Sequence, residues 1–298
     1  MLIGFGAPVS GAWAGPENLA GFAQRAEELG YASLWTFQRL LIPADREKLG
    51  PEYRSVLDPL VSLAYAAART SRIRLGVAVV NLPFVSPAYL AKQASTLDLL
   101  SGGRLDLGLG TGWLREEFAA SGVSDERRGA RAEEYVRALH TLFRDEVSEF
   151  SGEFYTVPPS RMAPKSAGPA LLLGGSAPAA LRRAGRLADG WMSRSATDLT
   201  RIGEQIAVVR GAAEKAGKDP AAVRVVVRGV VRAGGDPERR LAGSFDKIRE
   251  DTEWLGEQGV TEVFYDLNWD PLIGSPDADP GAATARAEEI LTGLSPAL

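Results

Sequence analysis

The sequence predicts an α/β fold of the (β/α)8 TIM-barrel class, in one domain over residues 1–298, with an inserted hairpin and loop ahead of the fifth strand. Three observations carry that expectation. Short apolar runs alternate with amphipathic helical patterns almost from end to end, as parallel strands joined by helices require. About eight such units follow one another without a linker between halves, which favours a closed barrel over an open doubly wound sheet, the competing arrangement. The composition is 45% apolar and 24% charged, so the chain can bury one large core or two smaller ones.

The elements follow in order. Residues Leu2–Ala7 read as the first strand. The helix "PENLAGFAQRAEELG" has Pro16 in its first turn, Gly30 as its stop, and Leu19, Phe22, Ala23, Ala26 and Leu29 on one face. Strand two is Ala32–Phe37, and after a longer connection Asp58 and Pro59 open the helix "DPLVSLAYAAART". Arg72–Val80 is a nearly continuous, valine-rich apolar run, the pattern of a buried strand. The helix "AYLAKQASTLDLL", the strand "RLDLGLG" and the helix "ERRGARAEEYVRALHTLF" complete the first half. Between Asp145 and Gly168 the regularity breaks into a hairpin and a Pro-rich loop. The alternation then resumes through "ALLLGG", "APAALRRAGRLAD", "GWMSR", "DLTRIGEQIAVVRGAAEKAG", Val223–Val231, "SFDKIREDTEWLGEQG", "VTEVFYDL" and the terminal helix "ATARAEEILTGL".

Composition removes several function classes. There are no cysteines, so disulfides, thiolate nucleophiles and cysteine-ligated metals are excluded. A single histidine, His140, rules out a multi-histidine metal site, and its place in a helix without a partner motif makes it an ordinary helix residue. No metal is expected. The net charge of −4 and the lack of a basic run give no footprint for nucleic acid. The N-terminus lacks a basic leader, and no apolar run approaches the roughly 20 residues that cross a bilayer, so a cytoplasmic protein with no membrane partner is expected.

Two glycine-rich stretches mark candidate sites at strand ends, where barrel chemistry sits. "SGGRLDLGLGTGWLREEF", Ser101 to Phe118, resembles the dinucleotide fingerprint, but Trp113 occupies the place of its third small residue. Its glycines then turn a strand-to-helix corner or approach some other ligand. In "LLLGGSAPAALRR" a buried strand runs through Gly174, Gly175 and Ser176 into a helix opened by Ala177 and Pro178. Free amides reached through glycines at a helix start suit a phosphate. A plain turn is the alternative.

Taken together, "LSGGRLDLGLGTGWLREEF", "SPAYLAKQASTLDLLSGGR" and "LLLGGSAPAALRRAGRLADGWM" resemble the luciferase-like monooxygenase family, in particular its actinobacterial branch that uses the deazaflavin coenzyme F420. The resemblance covers nearly the whole chain. It implies a barrel with a flavin or deazaflavin in its C-terminal mouth, and a non-prolyl cis peptide at the end of the third strand, matched by Ala78–Val79. It also implies cofactor contacts at Asn81, Thr111 and Gly112, with Glu116 one turn further, and a phosphate cradle at Gly174, Gly175, Ser176 and Ala177.

Departures from the family pattern narrow the chemistry. Members that oxidise sugar phosphates or alcohols carry an Asp–His pair after strand two and a glutamate after the fourth-strand glycine. Gln38, Arg39 and Trp113 stand in those places, and neither a guanidinium nor an amide exchanges protons usefully near neutral pH. These three are the catalytic candidates. Gln38 is expected to hydrogen-bond the ring of the cofactor, and Arg39 holds an anionic substrate or the developing charge on the reduced ring, or else forms a surface salt bridge. Trp13, Trp35, Phe37, Trp113, Trp191 and Trp269 are core or pocket residues, with Trp13 and Trp113 the best placed for the pocket. Lys92, Arg182 and Arg183 either form a basic rim for a polyglutamate tail or are solvated helix charges. The expected function is hydride transfer between coenzyme F420 and a small unsaturated or apolar organic substrate, by a homodimer. An FMN-dependent monooxygenase is the alternative, and a non-catalytic flavin- or deazaflavin-binding protein is the alternative of a different class.

Overall fold

Eight parallel strands pair side by side in chain order, and the last closes on the first. They are β1 (Leu2–Gly6), β2 (Ser33–Thr36), β3 (Arg74–Asn81), β4 (Leu105–Gly110), β5 (Ala170–Gly174), β6 (Gly190–Met192), β7 (Arg224–Val230) and β8 (Glu262–Asp266). The closing pair sets Leu2 against Glu262 and Phe5 against Tyr265. The computed structural model describes residues 1–45 and 49–296.

The surrounding helices are α1 (Pro16–Glu28), α2 (Pro59–Ala67), α3 (Pro87–Ser101), α4 (Arg115–Ala120), α5 (Arg128–Arg144), α6 (Pro178–Leu187), α7 (Ile202–Lys215), α8 (Phe245–Glu257) and α9 (Pro280–Gly293). Their starts are written in the sequence. Asp58, Ser86, Ser244 and Asp279 each accept from the amide three residues on, satisfying a donor that the helix leaves open. The terminal helix begins earlier than its apolar pattern suggests, because Asp279 and Pro280 supply the cap and first turn before the first buried residue, Ala283. The expected insertion is present between α5 and β5, as an antiparallel hairpin of Ser148–Ser151 and Thr156–Ser160. Glu134 on α5 ties down its tip, accepting from the amides of Glu153, Phe154 and Tyr155 at 2.9, 2.8 and 3.3 Å. Among the described residues no helix is long and apolar enough to cross a membrane.

The bore of the barrel is filled in layers, as a closed small barrel requires. Midway along it Trp35, Leu172, Met192, Val226 and Phe264 form a buried cluster, with the Trp35 and Phe264 rings stacked at 5.1 Å. Gly76 makes room for that indole: a Cβ there would fall 2.3 Å from the Trp35 ring. At the end where the strands begin, the filling is ionic. Asp106 is fully buried and accepts from Arg74 at 2.8 and 2.6 Å and from Arg224 at 2.6 and 3.0 Å. Arg224 also reaches Glu262 at 3.0 Å, and the other oxygen of Glu262 accepts from Ser33 and from the Trp35 indole. Four strands are thereby cross-linked by charge.

Burial alone raises the pKa of Asp106, but the hydrogen bonds from Arg74 and Arg224 outweigh it and hold the carboxyl below its ordinary value. A depressed folded-state pKa contributes stability that is complete above the unfolded value of about 4 and is lost as pH falls toward the folded one. Substituting Asp106→Asn leaves two guanidinium groups without their shared counter-charge, and is expected to cost roughly 3 kcal/mol at pH 7. The same variant flattens the acid limb of stability against pH, read by denaturant titrations between pH 3 and 7. An unchanged acid limb would refute the assignment.

Candidate active site at the barrel mouth

At the end of β3 the peptide between Ala78 and Val79 is cis. The pairing of β3 with β4 slips between Val77 and Val80, so a bulge faces the mouth. The Val79 side chain lies over two strand-end glycines, with Cγ2 2.5 Å from where a Cβ on Gly110 would stand and Cγ1 3.4 Å from one on Gly174. Below the bulge, Arg228 of β7 donates from Nη2 to the Ala78 carbonyl. Arg228 is buried, its Nε is 3.2 Å from Asp266 of β8, and its guanidinium sits 4.5 Å from the Trp269 ring and 5.4 Å from Phe37. Burial lowers its pKa and Asp266 pushes back, and a guanidinium stays charged at neutral pH.

The ends of β2, β3 and β4 are joined by a relay of predicted residues. Gln38 Oε1 accepts from the Asn81 amide at 2.8 Å, and Asn81 Oδ1 accepts from the Gly112 amide at 3.1 Å. Thr111, beside Gly112, is half-buried in the same loop. The amide nitrogen of Gln38 makes no hydrogen bond among the described residues, so it remains a donor.

Arg39 follows Gln38 into an enclosed setting. Its Nη1 lies 2.6 Å from Glu117 of α4, with 4% of the arginine side chain and none of the glutamate side chain exposed. The guanidinium is stacked 4.8 Å from Tyr53 and 4.7 Å from Trp113. The other oxygen of Glu117 accepts from the Leu40 amide at 2.7 Å. Trp113 is half exposed, at 51%, and caps this pair at the rim. Tyr53 links the rings around the two cations: its ring centroid is 5.9 Å from Trp113, 5.8 Å from Trp269 and 6.4 Å from Phe37.

Across the mouth, β5 ends in the second glycine stretch. The amides of Gly175, Ser176 and Ala177 enter no backbone hydrogen bond among the described residues, and the Ala177 cap of α6 carries no side-chain bond. Gly175 has φ +130°, a conformation that favours glycine. The Trp191 indole anchors this loop by donating to the Gly175 carbonyl at 2.8 Å, and Arg194, at the end of β6, donates to Ser176 Oγ at 3.2 Å. Open amides, a helix start and a guanidinium are groups that could hold an anion.

Several expectations change. Arg39 is a buried ion pair, not a surface one, because aromatic rings and α4 close over it. Glu116 lies on the exposed side of α4, and the carboxylate turned inward is Glu117. Trp13 is fully buried and donates to Asn268 at 3.2 Å, so it braces β8 against the loop after β1 and does not reach the pocket. Trp35 and Trp191 are likewise buried. Lys92 donates to the Ala163 carbonyl and Arg183 faces Glu133, while Arg182 is exposed; the cation at the glycine loop is Arg194. His140 is an ordinary helix residue, its Nε2 2.9 Å from the Leu187 carbonyl. Sequence reasoning missed Glu117, Tyr53, Arg194 and Arg228. Only Arg228 left a signal, as a charge inside the apolar run Val223–Val231.

Comparison with known proteins gives a consistent result. The profile of the luciferase-like monooxygenase family matches residues 2–271. Uncharacterized protein Rv0940c of Mycobacterium tuberculosis (strain ATCC 25618 / H37Rv) is 32% identical over 271 residues, 87% of each chain. The F420-dependent glucose-6-phosphate dehydrogenase of Nakamurella multipartita is 34% identical over 198 residues, 65% of this chain and 56% of that protein. Among solved structures, monooxygenase RslO1 from Streptomyces bottropensis superposes with a TM-score of 0.80 at 23% identity, covering 97% of this chain and 98% of the other, a likeness of fold.

The Arg39–Glu117 pair yields a direct comparison of neighbours. Removing one partner of a buried pair strands the other charge, so Glu117→Gln is expected to lower unfolding free energy by roughly 3 kcal/mol. Glu116→Gln, one residue away on the solvent side, leaves the urea midpoint unchanged. Equal midpoints for the two variants would contradict the placement of Glu117.

Proposed function

Because the chain belongs to the luciferase-like monooxygenase family, we propose that it is an oxidoreductase that holds coenzyme F420 in the barrel mouth and moves a hydride between it and a small unsaturated or apolar organic substrate. The observation that carries this reading is the pairing, within one mouth, of the bulge between Val77 and Val80 with the open amides of Gly175–Ala177. The residues present fit such a group. The amides and Arg194 suit its phosphate, the bulge with Val79 over Gly110 and Gly174 stands where it could back its ring, and the free Gln38 amide is a donor for ring heteroatoms. Asn81, Thr111, Gly112 and Gly174 complete the wall around it. Bound there, the deazaflavin supplies a carbon that exchanges hydride.

The chain's own residues have three tasks. The relay from Gln38 through Asn81 to Gly112 holds three strand ends in register around the ring position. The rings of Phe37, Tyr53, Trp113 and Trp269 exclude water and favour an apolar substrate. Arg39 and Arg228, held by Glu117 and Asp266, set a positive potential beside negative charge that develops in the mouth. The similarity to an F420-dependent dehydrogenase supports the choice of cofactor. The missing Asp–His pair separates this chain from oxidation of sugars or alcohols. The same reading has a homodimer acting in the cytoplasm on its small-molecule substrate.

Titration with oxidised F420 and with FMN, followed by tryptophan quenching, tests the proposal. Tight binding of F420 is expected, and Gly175→Ala or Arg194→Gln weakens it about tenfold, or about 1.4 kcal/mol. Binding of FMN alone would overturn the cofactor choice in favour of a monooxygenase. Binding without turnover across a panel of enones and imines would favour a carrier.

A further inference from the structure

Reducing a neutral unsaturated acceptor takes a proton as well as a hydride, and the residues expected to move protons in this mouth are replaced by Gln38, Arg39 and Trp113. The groups lining it sort cleanly. Arg39 and Arg228 are guanidinium groups that do not release protons. Glu117 and Asp266 accept from those arginines and from the Leu40 and Asn268 amides. Gln38 and Asn81 are neutral amides. Tyr53 alone among these brings an acidic O–H. It stands on the short helical turn Pro51–Tyr53, with its ring under the Arg39 guanidinium and against Trp113, Phe37 and Trp269, the last two of which also meet Arg228.

We propose that the Tyr53 hydroxyl is the proton donor of this mouth, a role that rests on the hydride-transfer reading above. The acceptor's π bond breaks as its carbon gains a C–H bond with the two electrons of the hydride, which leaves the reduced coenzyme oxidised. The electron pair left on the neighbouring atom takes the Tyr53 proton, breaking the O–H bond. The phenolate is stabilised by the Arg39 guanidinium over its ring and by the charge of Arg228 beyond Phe37 and Trp269, and is reprotonated from solvent.

The surroundings keep this acid loaded. Burial pushes the Tyr53 hydroxyl up; Arg228 and Arg39 pull it down, Glu52 on its own turn raises it, and the balance lies above the ordinary tyrosine value. The donor is therefore protonated at neutral pH, and its function is lost only as pH rises through that elevated value.

Two measurements with Tyr53→Phe, which keeps the ring, decide the matter. In the coenzyme-free protein, the difference in 295 nm absorbance between wild type and variant isolates Tyr53 from the other tyrosines. No phenolate is expected at pH 8; a phenolate there overturns the proposal. With reduced F420, the variant is compared on a neutral enone and on a cationic N-alkyl iminium, which takes hydride without a proton. A loss of about 100-fold on the enone, with the iminium rate kept, is expected of a missing general acid. Equal loss on both acceptors, or loss on neither, overturns the proton role and leaves hydride transfer standing. Failure of the wild type to bind F420 removes the underlying reading as well.

Discussion

A single guanidinium ties the upper barrel together. Arg228 rises from β7, lies beside Asp266 of β8, and donates across the bore to the Ala78 carbonyl of β3. A buried cation demands compensation, and here it comes from one carboxylate, one carbonyl and the faces of three aromatic rings. Each of those partners is thereby fixed in position. The bulge of β3, the Phe37 and Trp269 rings and the Asp266 side chain are arranged as much by this charge as by strand pairing.

Charge neutrality in the mouth is kept pairwise. Arg39 with Glu117 and Arg228 with Asp266 each cancel, so positive potential acts locally at the guanidinium edges without an excess buried charge. The aromatic side chains between the pairs lower the local dielectric and strengthen both. Tyr53 touches the two arginine environments at once, which gives an otherwise unremarkable loop residue an unusual electrostatic position.

Much of the fold was legible because its signals are local. Alternating apolar runs, Asp58–Pro59 as a helix start and the irregular stretch before Ala170 each survive in the structure with little change. The Gly174–Ala177 loop was legible for the same reason, since glycines before a helix start can be read from neighbouring residues. What stayed hidden depends on distance in sequence. Arg39 and Glu117 are 78 residues apart, and nothing in the chain indicates which of two adjacent glutamates turns inward. Trp13 misled because strand-end position says where a residue begins, not which way its ring turns. Tyr53 sits in a connection without periodicity, so only the folded arrangement brings it under Arg39 and against the rings that meet Arg228.

The ionic knot of Asp106, Arg74, Arg224 and Glu262 lies where the strands begin, at the far end of the bore from the bulge. Anchoring there is independent of what the opposite loops contain. The residues at the mouth can therefore be rewritten while the cylinder that carries them keeps its shape. Diversity of chemistry in such a scaffold follows from where its charges are spent.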